Sequence, residues 1–121
     1  MTRPHCLDLP DTRLLLAFFA SMLWQDGELR DDEADALRTM ALELGLPADD
    51  AHVDWLLQLP PLPDEVDPQS VPPRMAPAVL GIAGLAASVQ PSLAKYEALE
   101  LLELLLQPDL PEPALFDLLA A

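Results

Sequence analysis

Cysteine, histidine and aromatic residues are all scarce in this chain. The single cysteine, Cys6, excludes an intramolecular disulfide framework and a cysteine-based zinc cluster, which is consistent with a reducing cytoplasm. Only two histidines are present, His5 and His52, and the sequence contains neither a Ser–His–Asp order nor a glycine-rich phosphate loop. Aromatic side chains, at 5% of residues, supply no substrate-binding cluster. We therefore expect a protein that is not an enzyme.

Basic residues are also few, six against 21 acidic ones, and the net charge is −15. Such a charge repels the phosphates of nucleic acids and anionic lipids, so direct binding to either is not expected. The longest apolar stretch, residues 14–24, is far shorter than the roughly 20 residues that cross a bilayer. We expect a cytoplasmic protein with no direct membrane insertion, whose contact with a membrane would come through a partner.

Leucine and alanine are abundant, whereas β-branched residues and alternating polar–apolar runs are rare. This pattern predicts an all-α fold, a single-domain bundle of five to seven helices over residues 11–121 after a loose lead-in over residues 1–10. Helices are predicted at residues 14–24, 31–44, 50–59, 74–89 and 91–107, with a short final helix through residue 120.

Several local expectations accompany these helices. Helix 14–24 is apolar on all sides and should be central, with Asp11 as its N-cap. Residues 60–77 contain seven prolines and should form a stiff extended connection, either wrapped over the surface or serving as a peptide-like contact. We expect His52 to lie on the surface. The apolar face predicted for helix 91–107 consists of Ala94, Ala98, Leu101, Leu102 and Leu105.

The second half of the chain echoes the first at a shift of 64 positions. Matching pairs include Leu16 with Leu80, Leu29 with Leu93, and Glu33 with Glu97. The sequence thus predicts two degenerate helical-hairpin repeats, about residues 11–59 and 74–107, joined by the proline-rich connection 60–73. In a duplicated fold the two turns lie near one another, which would bring Glu97 close to Asp26 and Glu33.

The first of these turns follows an apolar helix and reads Gln25-Asp26-Gly27-Glu28-Leu29 through Glu33, and the next helix ends Leu44-Gly45-Leu46. This pattern resembles the TerB-like family of tellurite-resistance and stress-associated proteins, which includes the N-terminal region of a membrane-anchored J-domain co-chaperone. The resemblance implies a bundle of duplicated helical pairs, no known catalysis and, in some members, divalent-cation binding by the acidic turns. It nominates Asp26, Glu33 and Glu97, although Gln90-Pro91 stands where the second turn would have Asp-Gly.

Three explanations for Asp26 and Glu33 remain open. Glu33 could cap the next helix while Asp26-Gly27 shapes the turn. Alternatively, a weak site for Ca²⁺ or Mg²⁺ could draw its oxygens from Asp26, Glu28, Asp32, Glu33 and Glu97. The third explanation is docking of a basic protein partner. Over the whole chain, the acidic stretch between Arg38 and Arg74 has no Lys or Arg, which favours partner binding at Asp49, Asp50, Asp54, Asp64, Glu65 and Asp67.

These observations together suggest a non-enzymatic, TerB-like accessory or interaction module. Its acidic surface would bind a basic protein partner or hold a divalent cation weakly. An acidic inhibitor that mimics DNA is an alternative, and it would need carboxylates along one extended face at phosphate-like spacing. A second alternative is a purely structural helical domain with no metal site.

Overall fold

The computed structural model describes residues 9–47 and 49–106, and within these ranges the chain forms helices and turns without a β-strand. The five α-helices are α1 (Leu9–Leu23), α2 (Asp31–Glu43), α3 (Ala51–Gln58), α4 (Ala76–Val89) and α5 (Leu93–Leu106). Short 3-10 turns lie at Trp24–Asp26, Pro63–Val66, Pro68–Ser70 and Pro73–Met75. The predicted all-α bundle is confirmed, while the helix predicted through residue 120 lies outside the described residues.

Helix α1 is the centre of the bundle, as predicted. Leu16, Ala20 and Leu23 are completely buried, and α1 packs along α4, whose Ala83, Ala86 and Ala87 are also buried. Small side chains on α4 let the two helices approach closely, so the large apolar residues of α1 fill the core. Among the described helices, none is long and apolar enough to cross a membrane.

The start of α1 differs from the prediction. The helix begins at Leu9, with Pro10 in its first turn, where a missing N–H is tolerated. Asp11 is therefore inside the helix and is not its N-cap. Its carboxylate instead accepts two hydrogen bonds from the Arg74 guanidinium, at 3.0 and 3.2 Å. This pair ties the proline-rich connection to the central helix.

Helix α3 is attached to α1 by polar contacts at both ends. Asp50 is its N-cap, accepting from the backbone N–H groups of His52 and Val53, and it also binds Arg13 of α1. Trp24 Nε1 donates to the carbonyl of Leu56 at 2.9 Å. The expectation of a surface His52 is wrong, because its ring is only 19% exposed and its Nε2 lies 2.8 Å from Glu65 Oε1.

The proline-rich connection wraps over the bundle, as favoured, but it is not stiffly extended. It folds into three successive 3-10 turns, each with proline in its first positions, where the fixed φ suits a helical start. Val71 and Met75 anchor the connection in the core. Its turns contact α1 and α5, so the connection packs as part of the bundle.

Helix α5 is rotated relative to the predicted face. Of the predicted face, Leu102 is buried and Ala98 packs against the core, whereas Ala94, Leu101 and Leu105 are exposed. The prediction is therefore only partly right, because the apolar pattern gave no weight to a buried lysine. The long aliphatic stem of Lys95 packs like an apolar side chain, and its ammonium group has partners inside the protein.

Candidate functional site

The two turns predicted to converge do meet. We call residues 25–33 the first elbow and residues 89–97 the second elbow. Ser92 Oγ donates to Asp26 Oδ1 at 2.8 Å, and Gln90 Nε2 donates to Asp32 Oδ2 at 2.8 Å. Each half of the chain is thus a helix, an elbow and a second helix, and the elbows lie at the same end of the bundle.

Lys95 is the centre of this contact. Its side chain is completely buried, and Nζ donates to Glu33 Oε2 and, at 2.6 Å, to the carbonyl of Gln90. Asp26 Oδ2 lies 3.6 Å from the same nitrogen. We name these four residues, Lys95, Glu33, Asp26 and Gln90, the Lys95 junction. Three oxygens from the two elbows therefore surround one ammonium group.

Local backbone geometry brings Glu33 and Asp26 to this position. Gly27 ends the 3-10 turn with φ 86°, in the left-handed region that glycine adopts readily, and its N–H donates to Trp24 O. The chain is then extended at Arg30, the N-cap of α2, whose N–H donates to Glu33 Oε1 at 3.1 Å. The capping role predicted for Glu33 is confirmed, and its second oxygen is left for Lys95.

Ser92 positions the second elbow in the same way. Its hydroxyl oxygen accepts from the backbone N–H of Lys95 at 3.2 Å while its proton is donated to Asp26. The side chain thus caps the first turn of α5 and links it to the first elbow. Lys95 enters the junction from the first turn of α5, a position fixed by this cap.

Burial makes the Lys95 junction energetically demanding. The Glu33 side chain is 1% exposed, so neither it nor Lys95 is hydrated as it would be in the unfolded chain. Buried charges of this kind are tolerated only when they are paired and hydrogen-bonded, and removal of one partner leaves the other uncompensated. The junction therefore requires both halves of the chain to be docked.

The other predicted metal ligands are not gathered at this point. Glu28 is largely exposed and pairs with Arg30, Asp32 accepts from Gln90, and Glu97 lies exposed on α5. Across residues 9–47 and 49–106, no three acidic, histidine or cysteine side chains are arranged to hold a metal ion. Lys95 supplies a positive charge between Asp26 and Glu33, where the sequence had suggested Ca²⁺ or Mg²⁺. Metal binding by these five residues remains a prediction.

Sequence reasoning missed Lys95. The signal was present, since it is the only lysine of the chain and the only basic residue after Arg74. A lone base inside the second elbow, in so acidic a chain, points to an internal partner. Periodicity alone could not identify it, because a charged residue is normally assigned to the solvent face.

The six predicted partner-binding residues divide into two groups. Asp50, Glu65 and Asp67 are used within the fold, as caps of α3 and of two 3-10 turns. Asp49, Asp54 and Asp64 are exposed, and no base of the described residues forms a salt bridge with them. Only the second group presents free carboxylates to a partner.

Asp50 shows the strength of the first group's internal contacts. Its carboxylate receives two hydrogen bonds from Arg13, at 2.9 and 3.0 Å. These bonds, with smaller help from the α3 amides, lower the pKa of Asp50 from 3.8 to about 2. The pKa of Arg13 is raised by the same contact. Asp50 is therefore a structural anion and not a docking residue.

Comparison of the chain with family models, with curated proteins and with solved structures finds no match. The TerB-like resemblance accordingly rests on the motif around Asp26 and Gly27 and on the repeated elbows, and it remains a prediction.

Proposed function

We propose that this domain is a non-catalytic interaction module whose acidic surface binds a basic protein partner. The observation that carries the proposal is the pairing of its bases. Every basic side chain in the part of the chain that the structure describes is already in contact with a carboxylate. The pairs are Arg13–Asp50, Arg30–Glu28, Arg38–Asp35, Arg74–Asp11 and Lys95–Glu33.

This pairing determines the charge that a partner meets. Three of the five bases link distant parts of the chain and are committed to the fold. Ten further carboxylates take part in no salt bridge within residues 9–47 and 49–106. Asp67, which caps a 3-10 turn, is half-buried, and the other nine are exposed: Asp31, Asp32, Glu43, Asp49, Asp54, Asp64, Glu97, Glu100 and Glu103. A surface of one sign attracts an oppositely charged protein and raises its association rate.

The fold supports such a role in a second way. The Lys95 junction and the long-range arginine pairs hold the helices together through internal contacts, in which, of the exposed carboxylates, only Asp32 takes part, by accepting from Gln90. The TerB-like resemblance adds a tellurite- or stress-associated setting to the proposal. In that setting the domain would be an accessory protein that acts by binding another protein.

The test is affinity capture from the native host, followed by binding measurements with the purified pair at about 0.05 and 0.5 M salt. We expect the captured partner to be basic and its affinity to fall by about tenfold or more at the higher salt, since exposed charges are then screened. A partner with an acidic surface, or binding unchanged at 0.5 M salt, contradicts the proposal.

A further inference from the structure

Helix α5 has an unusual outer face. Leu93 and Leu104 are each 74% exposed, and Leu101, Leu105 and Tyr96 are about half exposed. Large apolar side chains are normally scattered singly over a surface, whereas here five lie on one helix of 14 residues. This face is not covered by any other part of the described chain.

A groove runs beside the exposed leucines. Leu101 and Leu105 lie one helical turn apart on α5 and form one wall, with Ala98. The rest of this largely apolar cleft of about 230 Å³ is lined by Leu102, by residues of α1 and the turn after it, and by the connection: Phe18, Ser21, Met22, Gln25, Val66 and Pro68. A cleft of this kind can take side chains that project from one face of a helix laid against it.

The charges around the groove have a single sign. Glu97, Glu100 and Glu103 are exposed on the same helix as the leucines, and the only base of α5, Lys95, is buried in the junction. A partner that buries the leucines must therefore approach three carboxylates. Lys or Arg beside its apolar residues would complement them.

Charge also argues against two other occupants of the groove, a second copy of the chain and the chain's own residues 107–121. A second copy of the chain would bring glutamates against glutamates across a symmetric α5–α5 contact, and each copy carries a net charge of −15. The chain's own residues 107–121 contain three acids and no base. Neither complements the groove as a basic segment does.

From the leucines, the groove and the glutamates together, we infer that the α5 face binds a basic amphipathic helix of a partner protein. Leucine-like residues of that helix enter the groove beside Leu101 and Leu105, and its Lys or Arg residues pair with Glu97 and Glu100, which lie nearer to Leu101 around the helix than Glu103 does. From Leu93 to Leu104 the face is about 16 Å long, which matches about three turns of a partner helix. This inference rests on the proposed function and specifies both its surface and its partner.

The test uses three synthetic peptides of about 15 residues and the full chain. The first has leucines at i, i+4, i+7 and i+11 and lysines elsewhere. The second is a scrambled isomer of the same composition, and the third carries glutamate in place of lysine. Fluorescence anisotropy at low salt measures the binding of each peptide. We expect the first to bind at least about tenfold more tightly than either of the others.

Two matched pairs of variants locate the site. Leu101→Ser should weaken binding of the first peptide by about tenfold, whereas Leu85→Ser on α4 should change it less than about twofold. Leu85 is the appropriate control because both leucines are 57% exposed. Replacement of Glu97, Glu100 and Glu103 by Gln should weaken binding more than replacement of Asp49, Asp54 and Asp64 by Asn, which removes the same charge. Thermal melts establish that each variant is folded.

Several results would overturn the inference. If the scrambled peptide binds as tightly and Leu101→Ser has no effect, the acidic surface binds basic segments without using the groove, and only the proposed function survives. If neither lysine peptide binds, the proposed function fails as well. Equal binding of the glutamate peptide excludes a role for charge. Dimerisation that depends on Leu101 identifies a second copy as the occupant, and a tenfold gain in affinity on Phe116→Ser identifies residues 107–121.

Discussion

Replacement of Lys95 by methionine is the most direct test of how the two halves are held together. Methionine keeps most of the volume of the lysine stem but removes the ammonium group. Glu33 Oε2 then loses its hydrogen-bond donor. The backbone carbonyl of Gln90 loses the Lys95 Nζ donor, which lies 2.6 Å away. Because Glu33 is 1% exposed, water cannot replace the lost charge without opening the junction.

The expected loss follows from the burial of both partners. Breaking a buried ion pair by removing one member costs about 3–5 kcal/mol. A domain of this size is typically stable by about 5–15 kcal/mol, so the variant would lose a large part of its stability. For about 120 residues, each kcal/mol changes Tm by roughly 3–5 °C, which gives a decrease of about 10–20 °C.

Thermal and urea unfolding, followed by circular dichroism, measure this loss. Arg38→Met is the matched control, because the Arg38–Asp35 pair joins adjacent turns of α2 and both side chains are more than half exposed. An exposed pair contributes about 0–1 kcal/mol, so the control should melt within a few degrees of the unmodified protein. The reasoning is refuted if Lys95→Met and Arg38→Met have the same effect.

A double variant separates the ion pair from its surroundings. Glu33→Gln removes the charge but retains an oxygen that accepts from the Arg30 N–H. Combined with Lys95→Met, it leaves Asp26 as the only charge of the junction, and that carboxylate is 24% exposed and still accepts from Ser92. We expect the double variant to be more stable than Lys95→Met alone, with a coupling energy of about 2 kcal/mol or more. Strictly additive losses would show that the two side chains act independently.

Three further predictions concern acid, backbone and metal. The pKa of Asp50 is about 2 in the folded protein and 3.8 when unperturbed. The ionised carboxylate therefore stabilises the fold by about 1–2 kcal/mol, after allowance for the partly exposed Arg13. This stabilisation is present above pH 4 and is lost as the pH falls from 4 to 2. In Arg13→Met, the decrease in unfolding free energy over that interval should be smaller, as urea titrations at each pH would show. Gly27→Ala should destabilise the protein by about 1 kcal/mol, because Gly27 has a positive φ. Gly81→Ala should stabilise it by about 0.5–1 kcal/mol, because Gly81 lies inside α4 with open space where the new Cβ would be. A destabilising Gly81→Ala would contradict this account. Millimolar Ca²⁺ or Mg²⁺ should leave Tm unchanged because the Lys95 ammonium group already contacts both Asp26 and Glu33. A rise in Tm that a chelator reverses would instead support the predicted metal site.

The extent to which the sequence predicted this fold depends on the type of signal. The apolar pattern identified the bounds of α2, α4 and α5 to within about two residues, whereas α1 begins five residues before its predicted start at residue 14. The repeat at a shift of 64 positions correctly placed the two elbows together. Glu33 was recognised as a cap because the N-cap residue, Arg30, cannot accept a hydrogen bond.

The failures share a physical cause. Asp11, His52 and Lys95 each make a contact whose partner lies between 13 and 63 residues away, and no local pattern identifies such a partner. The same holds for the rotation of α5, which is set by Lys95 and not by the balance of its leucines. A polar side chain enters the core only when the tertiary fold supplies its partner, so its burial cannot be derived from neighbours in sequence.

The two elbows differ in charge in a way that their contact explains. At a shift of 64 positions, Gln90 corresponds to Asp26 and Lys95 corresponds to Asp31. The Gln90 side chain donates to Asp32, so an aspartate at position 90 would bring a second carboxylate toward Asp32 in place of a donor. Lys95 brings an ammonium group to Asp26 and Glu33, where an acidic residue like Asp31 would add a third carboxylate. The absence of Asp-Gly from the second elbow and the presence of Lys95 thus have the same electrostatic effect, because the second elbow supplies hydrogen-bond donors and a cation to the carboxylates of the first.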